Sequence, residues 1–148
     1  MPDPTARDLI AILRRSHDRL VGLVEPVDEV TLAGPSYASE WSMAQVLSHL
    51  GSGGQIFGLV LDAGIAGTEV PGGEVFQAIW AEWDAKSPVE MRDGFVVSDE
   101  ALVARLESMS DEQIDAFSLP LWGMGLHVAA VTRRRLAEPA VHAWDVEV

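Results

Sequence analysis

Trp41-Ser42-Met43-Ala44-Gln45-Val46-Leu47-Ser48-His49-Leu50 decides the fold class. Ser42 and Gln45 stand at capping-box spacing, in which the serine hydroxyl accepts from the N3 amide and the N3 side chain reaches back to the N-cap N–H. Behind them Met43, Val46, Leu47, Leu50, Phe57 and Leu61 fall on one stripe at helical spacing. The pattern predicts a helix from Ser42 that fades between Gly64 and Gly67.

Similar signals recur outward from this stretch. Asp3 and Pro4 read as an N-cap followed by a first-turn proline. Leu9, Ile10, Leu13, Leu20, Val21 and Val24 then keep helical spacing up to Pro26. Val27 to Glu40 reads as an irregular loop, and Pro71-Gly72-Gly73 as a turn. Val75 to Ala85 reads as a helix. Ser87 and Glu90 form another capping box, with Gly94 expected to interrupt the helix and Ser98 to restart it. Ser110 and Gln113 cap a short helix ending near Phe117. After a turn at Leu119 to Gly123, a last helix is expected from about Met124 to the end. No run shows convincing strand alternation. The coarse reading is an all-α bundle of four main helices, with short helical pieces in the third connection.

The 148 residues suit one domain, 1–148, and 48% apolar content supplies a core. Asp and Glu number 23 against 10 Lys and Arg, a net charge of −13. Nucleic acid and anionic membranes need clustered cations, so neither is expected as a partner. The N-terminus lacks a signal-peptide layout, and the longest apolar stretches are too short to span a bilayer. A cytoplasmic protein is the expectation. There is no cysteine, which removes disulfides, thiolate metal sites and an internal thiol nucleophile together. Any thiol chemistry must use a thiol from outside. Lys86 is the only lysine, and the Arg-, Ala- and Gly-rich composition hints at a GC-rich bacterial genome.

The last helix carries an unusual stripe. His127, Val131, Arg134, Glu138, His142 and Asp145 follow one another in steps of three and four. Five of these six are polar or ionisable, and such groups need partners or a solvated cavity. Glu138 and His142 are i,i+4 neighbours, a spacing that lets two side chains share one metal ion. His49 lies about two turns into its own helix. If the two helices are antiparallel neighbours, His49 faces Glu138 and His142 across the bundle. Two imidazoles and one carboxylate leave a coordination position open, the catalytic rather than structural pattern for zinc. Iron, manganese or nickel fit the same donors. By spacing alone, a surface Glu–His pair and a core-edge histidine remain the alternative. Side-chain tips more than about 8 Å apart would exclude the ion, since first-shell bonds are near 2 Å.

At these residues the chain resembles a known family. Trp41 to Leu50 looks like the "W-S/T-x-x-x-V/L-L-x-H-L" start of helix two in DinB-like bundles. Arg135-Leu136-Ala137-Glu138-Pro139-Ala140-Val141-His142-Ala143-Trp144-Asp145 looks like their "R-L-x-E-x-x-x-H-x-W-D" signature in helix four. The branch it resembles is the mycothiol-dependent maleylpyruvate isomerase family, and the likeness spans most of the chain from Trp41 onward. The resemblance implies a DinB-like four-helix bundle, up-down-down-up. It implies His49, Glu138 and His142 as ligands of a divalent cation, usually zinc, which binds the sulfur of mycothiol. The thiolate would add to an unsaturated small-molecule substrate, permit rotation about the former double bond, and leave. A different reaction on the same scaffold without mycothiol, or a non-catalytic binder, stays open. The family isomerases carry a second, C-terminal domain, absent from this chain, which ends three residues after Asp145. It is either a piece of a longer protein or a single-domain relative. A homodimer is allowed.

Further residues take roles around this centre, although no catalytic residue is assigned. Arg135 and Trp41 are the candidate cofactor-binding residues, Trp41 as a pocket wall together with Trp144. Within Arg133-Arg134-Arg135, two solvated arginines and one structural ion pair is the favoured reading, the alternative being that one of them binds an anionic substrate or orients Glu138. Asp145, one turn beyond His142, either accepts an imidazole N–H behind the ligands or forms a salt bridge within the bundle. Pro139 should bend the helix between the two proposed ligands. His127 is expected in the core or a cavity, and His17 at the core edge. Gly51, Gly53, Gly54 and Gly58 either allow close helix packing or leave room for a cofactor beside His49.

Overall fold

The computed structural model describes residues 4–36, 40–121 and 124–147, with the side chains of residues 120–126 and 140–148 outside that description. The helices are α1 (Ala6–Val24), α2 (Glu29–Ala33), α3 (Met43–Ala66), α4 (Gly73–Asp84), α5 (Pro88–Glu107), α6 (Asp111–Ala116) and α7 (Val128–Glu147). A small antiparallel hairpin, β1 (Leu119–Leu121) with β2 (Met124–Leu126), precedes α7 and pairs Leu119 with Leu126.

Cross-helix contacts fix the helix directions. Arg7 in the first turn of α1 donates to the Glu107 carbonyl at the end of α5, and Arg92 near the start of α5 donates to the Val27 carbonyl beyond α1. These two helices are antiparallel. Ser98 donates to the Gly51 carbonyl, and Arg105 pairs with Asp62, so α3 and α5 run parallel. His49 meets Glu138, while Arg135 lies over the Phe57 ring, so α3 and α7 are antiparallel. The order up-down-down-up follows, in an all-α bundle whose long members are α1, α3, α5 and α7. The short α6 lies in the third connection as expected, and α2 and α4 occupy the first two.

Local chemistry explains where the elements begin. The Ser42–Gln45 box caps α3 as predicted, and Gly67, at φ 70°, ends it in the left-handed region where glycine carries no penalty. Ser87 with Glu90 and Ser110 with Gln113 cap α5 and α6 in the same way. The first helix starts differently. Thr5 is its N-cap, in a reciprocal box with Asp8, and the predicted cap Asp3 lies outside the described residues.

Four further expectations are corrected. The loop predicted over 27–40 contains α2, nucleated by Asp28, whose carboxylate accepts from the Thr31 amide; its reward is the complete burial of Leu32. The helix does not break at Gly94. There α5 runs on, because the bare backbone of Gly94 lies against the Trp83 ring, and burial of that indole offsets a glycine cost of about 1 kcal/mol. Ser98, expected to restart a helix, bonds across to α3 instead. In place of the helix expected from about Met124, Met124–Leu126 pairs with Leu119–Leu121 in a hairpin, and α7 begins at Val128; Trp122 and Gly123 of the expected turn lie outside the described residues. Strands of three residues are too short to display a period of two.

Leu13, Leu102, Leu106, Met109, Phe117 and Val131 belong to an apolar cluster at one end of the bundle. Leu20, Leu32, Val46, Leu47, Leu50 and Phe95 belong to another at the opposite end. Between them in sequence stand the buried polar residues His17 on α1 and Asp99 on α5. Among the described residues no helix is long and apolar enough to cross a membrane.

Candidate metal centre

His49 projects from the second turn of α3, where the Ser42 cap has set the phase of the helix. Its Nε2 lies 3.1 Å from Oε2 of Glu138 on α7. Their side chains keep 41% and 44% of their exposure, so the pair is open to solvent on one side. Two ligands bound at about 2.0–2.1 Å at a tetrahedral angle stand about 3.3 Å apart. The observed separation therefore fits two donors sharing one ion as well as it fits a hydrogen bond. The side chains of His142, Trp144 and Asp145 lie outside the described residues. Among the described residues no three His, Asp or Glu side chains gather as a metal-binding group.

Trp41 is held beside this pair by its backbone. Its carbonyl accepts from both the amide and the hydroxyl of Ser36, at 3.0 and 2.8 Å. Its indole then stands 5.4 Å from the His49 ring, tilted by 54°. A cavity of about 410 Å³ opens next to them, lined by Trp41, Gln45, His49, Ser52, Trp80 and Asp84 among others. Sequence reasoning missed Gln45, Ser52, Trp80 and Asp84 as lining. The polar stripe Gln45, His49 and Ser52 at helical spacing was the available signal. Nothing in the sequence placed α4 over it.

The arginine run divides. Arg133 and Arg134 are exposed, and Arg135 is 1% exposed. The Arg135 Nη2 donates to Asp99 Oδ1 at 2.8 Å and to the Leu50 carbonyl at 2.9 Å. Its guanidinium, expected to meet a cofactor, faces the bundle core. Oδ2 of Asp99 is 2.6 Å from Nδ1 of His17, whose Nε2 lies 3.0 Å from Glu100. Burial alone would push His17 down, but the hydrogen bond and charge of Asp99, with Glu100, hold it above its ordinary value. Burial would raise Asp99, yet His17 and Arg135 hold its carboxyl below the usual range. His17 is thus deeper than the expected core edge. His127, expected in the core or a cavity, is exposed just before α7, where it lines a surface cavity with Nδ1 3.1 Å from the Phe117 carbonyl.

The glycines of α3 serve packing in the main. A Cβ on Gly51 would overlap the Trp83 ring, and one on Gly64 would overlap Phe117. Gly53 and Gly54 face the Arg135 guanidinium, while Gly58 has open space. The helix runs on through Pro139.

Comparison with known proteins agrees with this architecture. A family model described as the mycothiol maleylpyruvate isomerase N-terminal domain matches residues 13–147. A crystal structure of the mycothiol-dependent maleylpyruvate isomerase is similar, with TM-score 0.81 and 15% identity. A histidine-to-alanine mutant of that isomerase matches with TM-score 0.81 and 14% identity. In both cases 97% of this chain is covered, and the chain spans 61% of the matched structure's length. No curated protein matches. With the family signature over nearly the whole chain and the bundle superposing closely, the chain belongs to the mycothiol maleylpyruvate isomerase N-terminal domain family.

Proposed function

We propose that this chain is the metal-binding part of a thiol-dependent enzyme of the maleylpyruvate isomerase type. It would prepare mycothiol, or a similar small thiol, for reversible addition to a small unsaturated electrophile in the cytoplasm. The approach of His49 to Glu138 beside an open cavity carries this reading. His49, Glu138 and His142 would hold the cation, zinc by the family, with Asp145 behind them.

A divalent cation held by two neutral imidazoles and one carboxylate keeps a net positive charge and lowers the pKa of a thiol presented to it. The chain's own groups do the rest. His49 offers Nε2 toward α7, and Glu138 contributes the negative charge. Trp41 shields one flank of the imidazole and narrows the approach to the cavity side. Trp80 and Gln45 give that cavity an apolar and a hydrogen-bonding wall. The chain has no cysteine to compete for the cation.

Metal analysis of the purified protein tests the proposal. One divalent ion per chain is expected, lost in His49→Ala with helicity retained. Mycothiol-dependent turnover of maleylpyruvate, or of a related unsaturated acid, would extend it to the reaction. Protein that binds no stoichiometric cation overturns the reading, and thiol-independent turnover assigns the scaffold to other chemistry.

A further inference from the structure

A polar layer interrupts the bundle core, and it lies at the level of the candidate metal centre. Arg135, Asp99 and His17 come from α7, α5 and α1, and the Leu50 carbonyl brings in α3. All four long helices thus meet at one set of hydrogen bonds. Asp99 is 3% exposed and Arg135 1%. The layer is tied outward through His17 to Glu100 and from there to Arg14, which also grips Glu107.

Stability alone explains this arrangement poorly. Buried ion pairs often contribute no more than well-packed apolar residues of the same volume. Among the described residues, Nε and Nη1 of Arg135 have no hydrogen-bond partner, a further cost. Space for the guanidinium comes from Gly53 and Gly54, whose absent Cβ atoms would stand 3.3 and 3.2 Å from its nitrogens. Two glycines in mid-helix are themselves unfavourable. What the layer does provide is register. Arg135 precedes Glu138 by three residues, on neighbouring positions of one face. The carbonyl it grips belongs to Leu50, the residue after His49. A helix slipping by one residue moves about 1.5 Å along its axis. Metal ligands tolerate only about 0.2 Å.

We propose that Arg135 and Asp99 are positioning residues for the His49–Glu138 pair. The Asp99-anchored guanidinium clasps α3 at Leu50 and so fixes α7 where Glu138 meets His49. This rests on the metal-site reading above. His17 holds the second oxygen of Asp99 and keeps the carboxylate turned toward Arg135.

Cobalt(II) binding to the full chain tests it, by competition with a chromophoric chelator and by the visible d–d spectrum, beside helical circular dichroism. Asp99→Asn keeps the shape and removes the charge. It should weaken cobalt affinity about 10- to 100-fold, the range seen when groups behind metal ligands are lost, and alter the d–d bands. Arg135→Met should do the same if the asparagine variant folds poorly. Leu106→Ala, in the apolar cluster away from the site, controls for lost stability and should leave affinity and spectrum unchanged. Wild-type affinity and spectrum in Asp99→Asn overturn the proposal alone, as does equal weakening in Leu106→Ala. Failure of both polar variants to fold makes the layer structural and overturns it too. Wild-type protein that binds no cobalt overturns the metal-site reading, and the proposal with it.

Discussion

Gly51 on α3 faces the six-membered ring of Trp83 so closely that a Cβ there would lie inside the van der Waals surface of the indole. The indole enters a slot between α3 and α5, with Gly94 forming the other wall and Gln55 accepting from Nε1 at 2.9 Å. That bond and the second wall leave the ring nowhere to move. Gly51→Ala would gain about 1 kcal/mol of helix propensity, but overpacking of a fixed ring costs about 1–3 kcal/mol, and more where backbone must shift. A net loss of about 2 kcal/mol is expected from urea unfolding. Gly58→Ala meets nothing within 4 Å and should gain about 0.5–1 kcal/mol. Equal effects at the two sites would refute the slot.

This slot marks the boundary of what the sequence displayed. Capping boxes were legible at Ser42, Ser87 and Ser110 because their signal is local, three residues apart. The apolar stripe of α3 was legible for the same reason. Gly94 was misread as a break, since the compensation comes from Trp83, eleven residues earlier and on another helix. The opposition of His49 and Glu138 needed an antiparallel pairing, supplied by the family motifs rather than by spacing. Asp99 gave no sign of its role. A lone acid beside Glu100 resembles any solvated face until α1 and α7 place His17 and Arg135 against it.

The N-cap of α3 offers a prediction free of metal chemistry. The Ser42 Oγ accepts from the Gln45 amide at 3.1 Å, and the Gln45 side chain returns a bond to the Ser42 amide at 2.8 Å. Ser42→Ala removes half of this box and should cost about 1 kcal/mol. Cation affinity should stay within twofold of wild type, because His49 is two turns further along. A tenfold loss would mean that fraying of the first turns reaches the centre.

The pH dependence of stability should carry the mark of the buried pair. His17 is held above its ordinary value, so its contribution is complete below about pH 6.5 and is withdrawn as pH rises through the elevated folded pKa. Asp99 is held low, so its contribution is present above about pH 3.9 and is lost as pH falls through the depressed folded pKa. Urea midpoints should therefore fall on both sides of a plateau between those values. In His17→Phe the alkaline decline attributable to this pair should vanish. An unchanged alkaline slope in that variant would show that some other group sets it.

The chain's four histidines separate the candidate centre from the rest of the molecule. His49→Ala removes a donor that stands 3.1 Å from Glu138, and it should abolish stoichiometric cation binding while costing little stability, since the side chain is nearly half exposed. His142→Ala should behave alike if its i,i+4 spacing from Glu138 brings it to the same ion. His127→Ala should be silent in both respects, within about 0.5 kcal/mol, as expected of an exposed surface substitution. His17→Ala leaves Asp99 buried with one partner fewer and should cost about 3 kcal/mol or more. Its effect on the cation should be partial, acting through Asp99 and Arg135 rather than by loss of a donor. Metal content and urea unfolding of the four variants, measured side by side, give two independent orderings. Metal retained in His49→Ala, or lost in His127→Ala, would relocate the ion and dismantle the assignment.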